Sequence, residues 1–195
     1  MIYSSDVVAS LVRAVLAVAH WPVVVGIDGR SGSGKSTLAR ELAVHIPLPV
    51  AIVEGDDFYS DISDDERAAL SPADGFEQYF DWRRLKSQIL EPLREGNAAL
   101  RYQQYDWQRA TMGNWIETKQ PAVVIVEGVY MLRPQSRELF DVCVYVRTSD
   151  ELRAQRQMHR SENSNEWIAR WAAAEEYYES RFEPWRNVDF TVDGG

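Results

Sequence analysis

Eight residues constrain this chain more than any other stretch. Gly29 to Ser36 reads G-R-S-G-S-G-K-S, one residue after the β-branched run Val23-Val24-Val25-Gly26-Ile27. A pattern G-x-x-x-x-G-K-[ST] needs its residue types for physical reasons. Glycines let the backbone bend so that successive N–H groups point inward at one anion. A helix starting near Lys35 aims its positive end at the same place. Lys35 brings a charge to the β- and γ-phosphates of a nucleotide, and Ser36 offers a hydroxyl to Mg²⁺. A Gly/Ser turn that matched by accident would lack the strand before it and the helix after it. The whole loop, Gly29, Arg30, Ser31, Gly32, Ser33, Gly34, Lys35 and Ser36 with Thr37 after it, is therefore the candidate site for ATP and Mg²⁺.

The pattern around the loop sets the fold class. Ser5 or Asp6 can cap a helix to about His20, with Pro22 as its stop. Val23 to Ile27, apolar on both sides, suits a strand buried in a parallel sheet. Leu38 to His45 continues as helix, and Val50 to Val53 is the next strand. Asp64 to Leu70 reads as a short helix, and Asp81 caps another from Trp82 to Glu95. Ala98 to Gln104 and Trp115 to Thr118 suit a hairpin. Val123 to Val126, Val142 to Val146 and Val188 to Val192 read as strands, with helices from Asp150 to about Arg160 and from Ser164 to about Phe182 between the last two. Strands alternating with helices imply an α/β chain: a three-layer P-loop NTPase fold with a mostly parallel five-stranded sheet and helices on both faces. No repeat or linker divides residues 1–195, which suit one domain.

Charge and composition narrow the partners. Acidic residues number 30 and basic ones 21, a net charge of −9. Nucleic-acid binding rests on basic patches that neutralise phosphates, so no nucleic-acid partner is expected. Cys143 is the single cysteine, which excludes an internal disulfide and makes the cytoplasm the simplest compartment. Arg13, His20 and Pro22 interrupt the apolar N-terminal region, which falls short of the ~20 residues a membrane span wants, so no membrane association is expected. A homo-oligomer is compatible with the sequence.

Three further segments belong with the loop. Ala122 to Gly128 reads A-V-V-I-V-E-G, an apolar strand ending in an acid. Glu127 is thereby the candidate carboxylate that orders Mg²⁺ together with Ser36. The second strand runs into Glu54-Gly55-Asp56-Asp57-Phe58-Tyr59. In open α/β sheets ligands sit beyond the carboxyl ends of the strands, where either aspartate can take a proton from a substrate hydroxyl. Arg153, Arg156 and Arg160 lie three and four apart and share a helix face. A solvated basic face is the commoner fate of such a run, but phosphoryl transfer also spreads negative charge that arginines stabilise. Trp167, Trp171, Ala174 and Tyr178 form a stripe at helical spacing and read as packing. Trp82, Trp107 and Trp115 serve packing or an acceptor pocket equally well.

The order of these motifs resembles the uridine kinase and phosphoribulokinase branch of P-loop kinases. The phosphate loop comes first; D-D-F-Y at Asp56 to Tyr59 is similar to that family's D-S-F-Y; Tyr105-Asp106-Trp107 is similar to its Y-D-F. V-I-V-E-G-V-Y, D-V-C-V-Y-V and R-x-x-R-x-x-x-R follow, so the likeness runs from about Val23 to Arg160, with the closing V-D-F-T-V. The resemblance implies Asp56 as catalytic base beside Lys35, a substrate hairpin at about 98–118, and a lid at about 150–167 bearing Arg153, Arg156 and Arg160. It assigns Asp57, Tyr59, Asp81 and Tyr105 to the acceptor, Asp81 through a loose match to the family's F-D-H-P. In one position the chain departs: Ala110 stands where the family often has a base-contacting histidine.

The activity implied is an ATP- and Mg²⁺-dependent kinase that moves the γ-phosphoryl group to a small hydroxyl acceptor. A nucleoside leads as acceptor, with a sugar, a vitamin precursor or a nucleoside monophosphate behind it. The rival is a nucleotide-binding regulatory ATPase without a small acceptor. A GTPase switch would want N-K-x-D, and none of Lys35, Lys86 and Lys119 follows an Asn. Lys35→Ala is expected to abolish turnover and to weaken ATP binding greatly, because it removes the cation that the loop places on the phosphates. Calorimetric titration with ATP checks it, and unchanged affinity would defeat the reading of the loop.

Overall fold

The computed structural model describes residues 3–97, 99–158 and 165–195. The central strand β1 (Val23–Asp28) is buried along its full length. Its pleat sends alternate side chains to opposite faces. Val23, Val25 and Ile27 enter one core, with Val8, Leu11 and Val15 of α1 (Ser5–Leu16) and Leu38, Ala39 and Leu42 of α2 (Lys35–His45). Val24 enters the opposite core, with Leu85, Ile89, Leu90 and Leu93. Both faces of the sheet are thus covered by helices, which explains why the strand reads as continuous apolar sequence rather than as alternation.

The other sheet strands are β2 (Val50–Glu54), β5 (Val123–Glu127), β6 (Val142–Arg147) and β7 (Phe190–Asp193). They stand in the order β2-β5-β1-β6-β7, and every pairing is parallel. The expected five-stranded sheet is therefore present and is parallel throughout. A separate antiparallel hairpin pairs β3 (Leu100–Asp106) with β4 (Thr111–Thr118). A third, aromatic core holds Tyr59, Phe76, Tyr79, Phe80, Tyr105 and Tyr130 against Trp171 and Tyr178 of α8 (Asn165–Phe182). None of the helices among the described residues is long and apolar enough to cross a membrane.

Several boundaries differ from expectation, each for a local reason. The first helix stops at Leu16 rather than near His20. The residue before a proline is pushed out of the helical region, and the chain needs those residues to turn into β1. The helix expected from Trp82 to Glu95 is a composite: α5 (Trp82–Leu85), a π turn (Lys86–Leu90) and α6 (Glu91–Arg94). Pro92 has no N–H to give and its ring clashes with the carbonyl four residues back, and a π turn is one way to absorb both. The short helix α3 (Asp64–Ala68) starts on a capping box made by Ser63 and Glu66. A further helix not among those expected, α4 (Pro72–Gln78), starts with Ser71 as its cap and Pro72 as its first residue. The hairpin is longer than expected, so Tyr105 lies on a strand and Ala110 turns the corner with φ of 50°.

The helix that follows the glycine loop is fixed from beneath by Leu38, which is fully buried. Leu38→Ala should cost about 2–5 kcal/mol of stability, the range for cavity-forming substitutions. Val44 of the same helix is 81% exposed, and Val44→Ala should stay within about 0.5 kcal/mol. Urea unfolding of the two variants checks the contrast.

Candidate active site

The phosphate loop leaves β1 through Asp28, which is 1% exposed. Its Oδ1 accepts the Gly29 N–H at 2.6 Å, and its Oδ2 accepts the Leu132 N–H at 2.9 Å and the Tyr178 hydroxyl at 2.7 Å. Burial pushes the Asp28 carboxyl above its usual range, against the pull of these hydrogen bonds. At the far end of the loop Gly34 has φ of 105°, in the left-handed region, and a Cβ there would come within 2.7 Å of the Tyr3 hydroxyl. That hydroxyl donates to Gly34 O at 3.0 Å. Both the conformation and the contact require glycine.

Between these ends the loop is built for an anion. Lys35 is buried, and its Nζ reaches back across the loop to donate to Arg30 O at 3.0 Å. The Ser33 hydroxyl is buried without a hydrogen-bond partner. The first N–H groups of α2 have no intrahelical acceptor and carry the positive end of the helix dipole. A buried cation and unpaired N–H groups around one cleft fit a polyphosphate.

Carboxylates form the opposite wall. β2 and β5 end in register at Glu54 and Glu127, and the Glu127 carboxylate accepts a hydrogen bond from Ser36. The turn Gly55–Phe58 then carries Asp56 into the phosphate cleft, beside Lys35 and Glu127. Burial pushes Glu127 up, while Lys35 and Ser36 pull it down. Asp56 is pushed up to about 6 by burial first and then by Glu127, Glu54 and Asp57, with Lys35 opposing. By accessible surface Asp56 is exposed, and its carboxylate faces the cleft that Lys35, Glu54 and Glu127 also line. The described residues contain no cluster of three or more His, Cys, Asp or Glu able to hold a metal ion alone. Mg²⁺ needs no such cage: it is usually held by one or two carboxylates together with substrate phosphates, and the hydrogen-bonded pair of Ser36 and Glu127 supplies that donor set.

The two aspartates of the acid turn face different partners. The Oδ1 of Asp57 accepts from Gln104 Nε2 at 2.8 Å, and its carboxylate also accepts from the Tyr102 hydroxyl. Asp57 therefore belongs to a second cavity, formed with the hairpin and walled by Tyr59, Tyr105 and Trp107. Trp107 packs on Tyr59 with centroids 4.4 Å apart, and the Arg67 guanidinium lies over the Tyr59 ring at 4.1 Å from its centroid. Ala110 also lines this cavity. Arg84 donates to the carbonyls of Asp57 and Tyr59 at 3.1 Å and so holds the acid turn in place.

The remaining candidates fall outside these cavities. Asp81 caps α5, its Oδ1 accepting the Arg84 N–H at 3.0 Å, and it does not line the second cavity. Arg153 and Arg156 extend from α7 (Asp150–Met158) to the outside of the phosphate loop. Arg153 donates to Ser31 O at 3.2 Å and Arg156 to Gly32 O at 3.2 Å. Arg160 lies outside the described residues. Gln157, Trp167 and Trp171 line the phosphate cleft instead. The tryptophan stripe is core packing, as expected, and also cavity wall; periodicity alone could not show the second role.

A strand–loop–helix with its acid wall, ordered as in one lineage of phosphate-binding proteins, has a match in sequence: residues 24–165 fit the model of the Phosphoribulokinase / Uridine kinase family. The chain belongs to that family. It is 34% identical over 145 residues to the uridine kinase of Limosilactobacillus reuteri (strain DSM 20016), covering 71% of this chain and 65% of that protein. To the uridine kinase of Clostridium novyi (strain NT) it is 32% identical over 147 residues, covering 71% and 68%. The chain thus spans about two thirds of the length of the curated relatives it matches. Among solved structures it shares its fold with "a Possible Uridine Kinase" from Bacillus stearothermophilus, at a TM-score of 0.75 and 24% identity over 96% of this chain and 98% of that one. It shares it also with D-glycerate 3-kinase from Cryptococcus neoformans var. grubii, at 0.61 and 15% over 98% and 97%.

The acid wall has a consequence for stability. Asp56 is raised in the folded state to about 6, from an ordinary value of 3.8. Its contribution to stability is therefore present below the ordinary carboxylate value and is lost as pH rises through about 6. Above that pH the ionised group opposes folding. Asp56→Asn should accordingly melt at a higher temperature than wild type at pH 8 without ligands, with the difference shrinking below pH 4. Calorimetric melts at the two pH values check this, and a variant less stable at pH 8 would contradict the desolvated environment.

Proposed function

We propose that this family member is a kinase that transfers the γ-phosphoryl group of ATP, in the presence of Mg²⁺, to a hydroxyl of a small acceptor. One observation carries the reading: the phosphate cleft and the aromatic cavity meet, sharing Glu54, Asp56 and Trp167. A carboxylate at the junction of an anion cradle and a second, ring-lined cavity is placed for chemistry between two ligands.

Bound Mg²⁺ supplies charge neutralisation at the phosphates. The chain's own groups do the rest. The loop N–H groups and Lys35 bind the phosphates, and Ser36 with Glu127 provides the ligands for the metal. Asp56 accepts the proton of the attacking hydroxyl, and its raised affinity for protons matches that task. Trp167 and Trp171 shield the cleft, which limits loss of the phosphoryl group to water. Asp57 with Gln104, and the ring faces of Tyr59, Tyr105 and Trp107, offer hydrogen bonds and stacking to the acceptor.

The uridine kinases among the relatives favour a nucleoside as acceptor. Ala110 in the cavity wall leaves the base without the histidine contact expected from the family, so uridine should be a poor acceptor with k_cat/K_M well below ~10⁵ M⁻¹s⁻¹. A panel of nucleosides, neutral sugars and cofactor precursors, scored by stimulated ADP release, identifies the acceptor. If none stimulates turnover, the regulatory-ATPase reading prevails. With an acceptor in hand, Asp56→Asn should lower k_cat by about 10²-fold or more while ATP still binds. The wild-type k_cat/K_M should fall on the acid side of about pH 6, where Asp56 of the free protein gains its proton. An acid limb unchanged in the Asn variant would assign the proton transfer elsewhere.

A further inference from the structure

Among the described residues, one heavily engaged buried carboxylate is outside the reaction just described. Glu175, on α8, is 2% exposed. Its Oε1 accepts the Ser31 N–H at 2.9 Å and also the Ser31 hydroxyl. Its Oε2 faces Arg30 Nε at 3.3 Å and Arg153 Nη1 at 3.5 Å. The same Arg153 Nη1 donates to Ser31 O at 3.2 Å, while Nη2 is anchored to Asp150 at 2.7 Å. Ser31 is therefore gripped by both backbone groups, its N–H by Glu175 and its carbonyl by Arg153. Neither gripping side chain lines the phosphate cleft, whereas Ser31 and Gly32 do.

A buried carboxylate close to a polyphosphate site is electrostatically adverse, because its field repels the ligand. Burying it is also costly unless it is paired and hydrogen-bonded. Both penalties are incurred at the first bend of the loop. We propose that Glu175 and Arg153 form a positioning clamp that sets the shape of the phosphate loop at Ser31, with Arg153 working through the loop backbone rather than by contact with the transferred group. The inference rests on the nucleotide-binding reading above. It departs from the expectation that Arg153 is a lid arginine stabilising the charge of phosphoryl transfer.

The two roles differ in sign. If Glu175 were a bystander charge, Glu175→Gln would relieve repulsion and release Arg30 and Arg153, so MgATP would bind more tightly. If it is half of a clamp, the loop loses its shape and MgATP binds less tightly. If Arg153 acted only on charge developing during transfer, Arg153→Met would leave MgATP affinity unchanged. A charge contact with phosphate would survive in Arg153→Lys, but a fork that bridges Ser31, Asp150 and Glu175 would not.

MgATP affinity of the full chain, followed by fluorescence of the tryptophans in the cleft wall, tests this without any acceptor. Glu175→Gln, Arg153→Met and Arg153→Lys should each weaken binding by about tenfold or more, the scale on which misplaced binding groups tell. The double variant Glu175→Gln/Arg153→Met should be no worse than the weaker single variant, since either change opens the same clamp. Melting curves identify variants that are folded at the assay temperature; should Glu175→Gln fail to fold, the two Arg153 variants decide. A folded Glu175→Gln or Arg153→Met that binds as tightly as wild type, full affinity in Arg153→Lys, or additive losses in the double variant would each overturn the clamp. Wild-type protein that fails to bind MgATP would sink the nucleotide reading and the clamp with it, whereas normal wild-type binding with unaffected variants sinks the clamp alone.

Discussion

Lys35 confronts the carboxylates of Asp56 and Glu127 across the carboxyl edge of the sheet, with Glu54 adding to the negative charge on the same wall. Burial raises the proton affinity of both acids, and the single lysine opposes that shift without cancelling it. The imbalance is a property of the fold. β1, β2 and β5 run parallel, so their carboxyl ends, and the residues that follow them, converge on one side. A parallel sheet with this sequence gathers acids at a place that also gathers helix N-termini. On the reading proposed above, a divalent cation is what offsets these acids, and much of the remaining architecture serves to hold the loop and the acid turn in place.

That holding is done from distant parts of the chain. Arg84 fixes the acid turn by its carbonyls, Asp28 and Tyr178 fix the start of the loop, and Tyr3 fixes its end. One face of α8 supplies Trp167 and Trp171 to the cleft, Glu175 to the loop and Tyr178 to Asp28. A helix late in the sequence therefore backs the start of the phosphate loop and one wall of its cleft.

The difference between what was legible in the sequence and what was not follows from this division. The strand, the glycine loop, the terminal acid of β5 and the acid pair after β2 are local patterns, and each stands where its own neighbours in sequence predict. The limits of α1 and the π turn at Lys86–Leu90 were harder, because prolines act there through geometry rather than through the apolar period. Asp81 was legible as the cap of the helix from Trp82, and it is one; its acceptor role came from the resemblance alone. Glu175 lies 144 residues from Ser31, within a stripe that reads as packing, and no spacing rule joins the two. Arg153 was visible as a cation on a shared helix face, but which side of the loop it would take depends on where α8 puts its carboxylate.

The hairpin has a different relation to the rest. β3 and β4 pair with each other and stand apart from the five-stranded sheet. They lean on the acid turn through contacts such as Gln104 with Asp57 and the stacking of Phe58 on Tyr102. At the hairpin tip Trp107 packs on Tyr59 and Tyr105, and among the described residues the hairpin shares no backbone ladder with the central sheet. On the reading proposed above, exchanges in this one β-ribbon can change which acceptor fits the cavity while the phosphate loop keeps its shape.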